Sequence, residues 1–155
     1  MATGVSVGDA VPDFDLETGG GGRLSSGDLL GRRAVLYFYP KDDTSGCTLE
    51  AREFTALIGE FAERGVSVYG VSPDAPRSHE RFAAKCDIGF PLVSDPERTL
   101  CEAMGVWVEK SMYGRRYMGV ERSTFLVAPD GRVEREWRKV KVPGHAAAVL
   151  ASVGG

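Results

Sequence analysis

Apolar positions along this chain fall into short unbroken runs separated by stretches in which they recur at helical spacing. The run Ala34 to Tyr39 predicts a buried strand, and Leu49, Phe54, Leu57, Ile58 and Phe61 then recur as one face of a helix. Val66 to Ser72 predicts a second buried strand. A helix between two such strands makes a βαβ unit, which requires parallel pairing and a right-handed crossover. Pro76 and Ser78 open a further helix containing Phe82, Ala83 and Cys86, and Gly89 and Pro91 end it. Phe90 to Ser94 reads as a short strand or extended link. Asp95-Pro96-Glu97 then starts a helix through Leu100, Cys101 and Met104 to Gly105.

At the N-terminal end, Phe14 to Glu17 and Arg23 to Ser25 flank Gly19 to Gly22, which predicts a hairpin closed by a flexible turn. These glycines lack the preceding buried strand and following helix of a dinucleotide loop. Lys110 to Gly119 reads as an excursion or an irregular ribbon, Ser123 to Val127 as a strand, Pro129-Asp130-Gly131 as a turn, Val133 to Val140 as the returning strand, and His145 to Val153 as a terminal helix. The element order predicts an α/β domain of thioredoxin-like fold, a central mixed β-sheet flanked by helices. With 155 residues and 43% hydrophobic content the chain suits one domain spanning 1–155.

A net charge of −3 argues against a nucleic-acid partner held by electrostatics. Arg115-Arg116 and the run Arg135 to Lys141, the latter flanked and interrupted by Glu134 and Glu136, read as solvated faces. Three cysteines without a Cys-x-x-Cys pair do not form a secreted disulfide framework. Met1 to Pro12 has neither the basic nor the apolar region of a secretory signal, and no apolar run approaches a membrane span. The expectation is a soluble cytoplasmic protein with no membrane partner.

Chemistry concentrates where the first buried strand meets its helix. Cys47 falls in the first helical turn, where backbone N–H groups lack intrahelical partners and the helix dipole is positive, an environment that favours thiolate, the reactive form. Pro40 ends the strand, Thr44 supplies a hydroxyl, and Ser45-Gly46 lets backbone pass close to whatever the sulfur attacks. By itself, a single cysteine is more often an inert core residue than a catalytic one.

The stretch Pro40-Lys41-Asp42-Asp43-Thr44-Ser45-Gly46-Cys47-Thr48-Leu49-Glu50 resembles the Pro-x-x-x-Thr-x-x-Cys signature of peroxiredoxins, and its Tyr-Pro-Lys-Asp-Asp-Thr lead-in is similar to the bacterioferritin-comigratory-protein, or peroxiredoxin Q, branch. Glu121-Arg122-Ser123-Thr124-Phe125-Leu126-Val127 resembles the Arg-Ser-Thr-Phe-Leu strand of that family. The resemblance runs from Gly8 to Val140. It implies a thioredoxin-dependent peroxidase that reduces hydrogen peroxide and organic hydroperoxides, with no metal or organic cofactor. Carried onto this chain, Cys47 becomes the nucleophile, Thr44 orients the peroxide, Pro40 shields the thiolate, Arg122 activates both, and Glu50 positions Arg122. A guanidinium beside a thiol favours its charged form and can hydrogen-bond a peroxide oxygen.

The chain departs from that pattern at Ser45, where many members carry proline, and at Arg52, where a subset carries a resolving cysteine. Cys86 and Cys101 remain as candidates for the second thiol. Cys86 shares a helical stripe with Phe82 and Ala83, and Cys101 adjoins Leu100 near Met104, so either also fits plain core. Family resemblance favours Cys86, because relatives can place the resolving thiol in that helix. Thioredoxin or a glutaredoxin-like dithiol is the expected reductant and a monomer the expected state. His79 and His145, each in a polar helix-start context without a surrounding motif, read as solvated. A competing function on the same fold is a non-catalytic redox sensor or interaction module, in which oxidation of Cys47 alters a partner surface.

Overall fold

The computed structural model describes residues 4–153. An antiparallel hairpin of β1 (Asp15–Glu17) and β2 (Arg23–Ser25) leads through a 3-10 turn at Ser26–Leu29 into β3 (Arg33–Phe38). Then follow α1 (Ser45–Ala56), α2 (Ile58–Glu63), β4 (Val66–Ser72), α3 (Pro76–Cys86), β5 (Leu92–Ser94) and α4 (Thr99–Ala103). A second hairpin, β6 (Trp107–Met112) and β7 (Arg115–Val120), precedes β8 (Ser123–Val127), β9 (Val133–Trp137) and α5 (His145–Ser152).

The central sheet has the order β5-β4-β3-β8-β9. β4 runs parallel to β3 and β5 to β4, while β8 and β9 pair antiparallel, so the sheet is mixed as its element order requires. Within β3 the side chains alternate between two cores: Ala34, Leu36 and Phe38 pack with Val71, Phe125 and Met104, and Val35 and Tyr37 pack with Phe54, Val68 and Phe82. Burial on both faces is why this strand reads as an unbroken apolar run. It also places the end of β3, and the loop after it, at the centre of the molecule.

Four expectations change, the first being the single helix expected through Phe61, which breaks at Leu57 into α1 and α2 and leaves Leu49 exposed. The segment read as an irregular ribbon is a regular antiparallel hairpin, with Trp107 opposite Val120 and Met112 opposite Arg115. β9 stops at Trp137, not Val140, because Arg138 turns inward, donates to the carbonyls of Val5, Met104 and Gly105, and lies 5.0 Å over the Phe125 ring. The basic run is therefore only partly a solvated face. The helix expected from Asp95 begins at Thr99, with Asp95 held outside it as the acceptor of the Cys101 amide at 2.8 Å.

Candidate active site

Thr44 caps α1 in extended conformation, with its carbonyl accepting the Thr48 amide at 2.8 Å and its hydroxyl donating to the Lys41 carbonyl at 2.9 Å. That hydroxyl closes the loop that brings Cys47 into the first turn of α1. Cys47 is 1% exposed and belongs to the core beneath α1 with Tyr37, Tyr39 and Phe54. Pro40 is half-buried between the strand end and this loop.

Arg122, at the entrance of β8, reaches across from the other side of β3. Its Nη2 donates to Cys47 Sγ at 3.2 Å and its Nη1 to Glu50 Oε1 at 2.5 Å, with the Arg122 side chain 16% exposed and that of Glu50 1%. Cys47 and Glu50, three residues apart on α1, face the same side of the helix, so one guanidinium can meet both. Gly46 leaves room for it: a Cβ there would lie 3.3 Å from Arg122 Nη2. Burial pushes the Glu50 carboxyl up to about 7, an effect Arg122 partly offsets, while Arg122 is held more firmly protonated by Glu50 and Cys47. Glu50 Oε2 and the Tyr37 hydroxyl are the buried side-chain polar atoms without a hydrogen-bond partner among the described residues. The Tyr37 phenol is pushed up, first by burial and then by the charges of Glu50 and Cys47. The arrangement is a low-dielectric pocket holding one thiol, one cation and one carboxyl.

All three cysteines are free. Cys86, the last residue of α3, is half-buried against the core that holds Cys47. Cys101 is fully buried, and its thiol is pushed well above the ordinary range by burial and then by Asp95. A thiol in that state is a poor nucleophile.

Both histidines depart from the solvated reading. His79 is 0% exposed, with Nδ1 2.7 Å from Asp42 Oδ2 and Nε2 2.9 Å from the Val93 carbonyl. Both ring nitrogens are thus engaged by polar partners in the interior. Tyr39 and Ser78 hydroxyls donate to the same Asp42 carboxylate at 2.6 and 2.8 Å, and the Asp42 amide donates to Asp74 at 2.8 Å. His145 is 7% exposed, bonded through Nε2 to Thr124 Oγ1 at 2.8 Å and set edge-on to Phe54 and Trp137. Burial, with Arg122 nearby, drives its ring down to about 4. The polar neighbours of His79 in the sequence concealed its helical phase: His79, Phe82, Ala83 and Cys86 form one inward stripe, as do His145, Ala146, Val149 and Leu150.

The chain matches the AhpC/TSA family over residues 7–136. It is 50% identical over 141 residues to Peroxiredoxin Bcp of Xanthomonas campestris, covering 91% of this chain and 88% of that one. Among solved structures, a variant of Xylella fastidiosa PrxQ superposes with a TM-score of 0.93 at 41% identity, covering 98% and 97% of the two chains. The bacterioferritin comigratory protein of Xanthomonas campestris, studied for its alkyl peroxide reduction activity, superposes with a TM-score of 0.87 at 47% identity, covering 94% and 97%. Two structures of Xanthomonas peroxiredoxin Q carry serine in place of cysteine at positions 36 apart. Counted from Cys47, that spacing falls on Ala83, one turn before Cys86.

Proposed function

The chain belongs to the AhpC/TSA family, among its Bcp-type peroxiredoxins, and from that footing we propose that Cys47, Arg122, Glu50 and Thr44 reduce hydrogen peroxide and organic hydroperoxides. It is a peroxidase of thiol chemistry. The observation that carries the assignment of residues is the single guanidinium bonded to both Cys47 Sγ and Glu50.

In the first step the Cys47 thiolate attacks one peroxide oxygen in line; the S–O bond forms as the O–O bond breaks, Cys47 becomes a sulfenic acid, and the other oxygen departs as hydroxide or alkoxide, which takes a proton from solvent to become water or an alcohol. Arg122 holds the thiolate and offers its donors to the oxygen that leaves with negative charge. Glu50 fixes the guanidinium, Thr44 shapes the loop and meets the peroxide, and Pro40 screens the sulfur from water. In the second step Cys86 attacks the sulfenic sulfur, a disulfide forms, and water departs. Thioredoxin or a glutaredoxin-like dithiol then returns both sulfurs to thiols by exchange. Nothing in these steps calls on a metal or organic cofactor. We read the whole chain as one domain acting as a monomer in the cytoplasm; among the described residues no helix is long and apolar enough to cross a membrane.

The test is peroxide consumption coupled to thioredoxin and its reductase. Wild type turns over, Cys47→Ser is folded and inactive, and Cys86→Ser is oxidised once by peroxide but recycles slowly. Appreciable turnover by Cys47→Ser overturns the assignment, and stoichiometric oxidation of wild type without recycling by any dithiol favours the sensor reading.

A further inference from the structure

The hairpin of β6 and β7 closes in a turn that its sequence does not favour. Tyr113 and Gly114, the two residues of the turn, have φ of 51° and 78°. Asparagine or aspartate followed by glycine adopts such a pair of positive values most readily. A tyrosine is disfavoured there by its backbone, and Tyr113, 97% exposed, recovers nothing by packing. Residues held in such conformations cluster where a side chain has a task. Directly paired residues share a face of a two-stranded sheet, so Lys110, Met112, Arg115 and Tyr117 lie together on one side of this hairpin. Met112 and Tyr117 are exposed, and with Tyr113 and Arg115 they line a hollow at the tip. Methionine, tyrosine and arginine are residues that protein interfaces favour over the rest of the surface. Neither Lys110 nor Arg115 is in an ion pair among the described residues. The segment from Trp107 to Val120 holds three cations and one carboxylate, on a chain of net charge −3.

The same face runs back to the Cys47 pocket. β7 leads through Glu121 directly into Arg122, and the Lys110 stem lies over Gly119, where an added Cβ would be 3.3 Å from Lys110 Cδ. Burial and then Arg122 lower the Lys110 ammonium, while Cys47 acts in the opposite sense, so its charge stands within reach of the site. Tyr117 precedes Arg122 by five residues, at most about 18 Å of chain. A standard protein contact covers about 800 Å² of each partner, a patch roughly 32 Å across, so a protein that meets the sulfurs at Cys47 also spans the hairpin. We propose that this face of β6 and β7, with Met112, Tyr113 and Tyr117 set between Lys110 and Arg115, is the docking surface for the dithiol protein that recycles Cys47. It rests on the reading that such a protein is the reductant. The partner that fits is one whose contact surface is apolar and bordered by carboxylates, since opposite charge at the rim speeds encounter and fixes orientation. Once docked, one thiolate of the partner attacks a sulfur of the Cys47 disulfide, and the other sulfur leaves and takes a proton. The partner's second thiolate then attacks its own sulfur in the mixed disulfide and frees the remaining thiol, so the partner carries the disulfide away.

The experiment oxidises the protein with one equivalent of hydrogen peroxide, then follows its reduction by reduced thioredoxin and, separately, by dithiothreitol, which is too small to need a docking surface. Tyr113→Asn, which suits the turn, and the double variant Met112→Ser with Tyr117→Ser are each expected to lower the second-order rate with thioredoxin about five- to tenfold, the loss that removal of an interface anchor brings. Arg115→Glu is expected to lower it by a similar factor and to flatten or invert its dependence on salt. Reduction by dithiothreitol, and oxidation by hydrogen peroxide and by cumene hydroperoxide, are expected to keep their wild-type rates. Unchanged thioredoxin rates in the folded variants overturn the docking surface and leave the reductant reading standing. If dithiothreitol reduces wild type but neither thioredoxin nor a glutaredoxin does, the reductant reading fails and the surface fails with it. Three further results also overturn the proposal. An equal loss of rate with dithiothreitol marks a structural effect, slower oxidation by cumene hydroperoxide alone gives the face to the peroxide, and a wild-type dimer in sedimentation that the variants lose gives it to a second copy of this chain.

Discussion

Arg122 is the residue on which the site turns, because it joins a sulfur on one element to a carboxyl one helical turn away and arrives from another strand. Removing it leaves a buried thiol without its only charged donor among the described residues and a buried carboxyl with neither oxygen partnered. A hydrogen bond to a charged group is worth roughly 1.5–3 kcal/mol, so Arg122→Ala is expected to slow Cys47 oxidation on the order of ten- to a hundredfold in stopped-flow with peroxide. Arg122→Lys, with one compact ammonium, cannot span both partners and is expected to recover only part of the loss. Gly46 gives a finer test. Its replacement by alanine puts a Cβ 3.3 Å from Nη2, so the guanidinium must yield by a few tenths of an ångström, yet alanine favours helix over glycine by about 0.5–1 kcal/mol. Gly46→Ala is thus expected to be at least as stable as wild type by denaturant unfolding and slower with peroxide. A variant unchanged in rate would show that the guanidinium has slack the geometry does not suggest.

Among the elements, β3 and α3 carry the site, and they differ in how plainly the sequence announces them. β3 is apolar at every inward position on both faces, so its extent and centrality follow from the run Ala34 to Tyr39, and the motif resemblance then places Cys47 at its exit. The predicted start of α3 at Pro76 agrees with the structure, while the helix stops at Cys86, ahead of Gly89, and the inner face could not be phased while His79 was counted as polar surface. Its partner Asp42 lies 37 residues away, in a loop whose conformation no periodicity describes. Arg138 is similar: a charged residue in a charged run gives no local sign that three distant carbonyls await it. What was illegible is long-range polar pairing, since apolar burial leaves a period in the sequence and hydrogen-bond partners do not. The sheet offers its own check at Gly70 in β4, where an added Cβ would lie 2.9 Å from Leu92 Cδ2 and from Tyr37 Cζ. Gly70→Ala is expected to cost about 1–3 kcal/mol of unfolding free energy, because both neighbours are core side chains with little freedom to retreat.

For the molecule as a whole, burial of the site writes itself into the dependence of stability on pH, through two groups that act in opposite directions. Glu50 rises from an ordinary value of 4.5 to about 7, chiefly by burial, so between those values the folded protein keeps a proton that the unfolded chain has released, and stability falls as pH rises through the window. His145 drops from 6.5 to about 4, again chiefly by burial, so between those values the unfolded chain takes a proton that the folded protein refuses, and stability falls as pH falls. Each slope approaches about 1.4 kcal/mol per pH unit, and over the shared interval from 4.5 to 6.5 they oppose one another. Replacing one group should therefore expose the other. The stability of Glu50→Gln relative to wild type is expected to rise by about 3 kcal/mol in total as pH goes from 4.5 to 7, while that of His145→Gln relative to wild type is expected to fall as pH rises from 4 to 6.5. Urea unfolding at half-unit pH steps measures both differences. If neither difference changes with pH, the two side chains are hydrated in solution, and the pocket around Cys47 is wetter than a 1% exposed Glu50 implies.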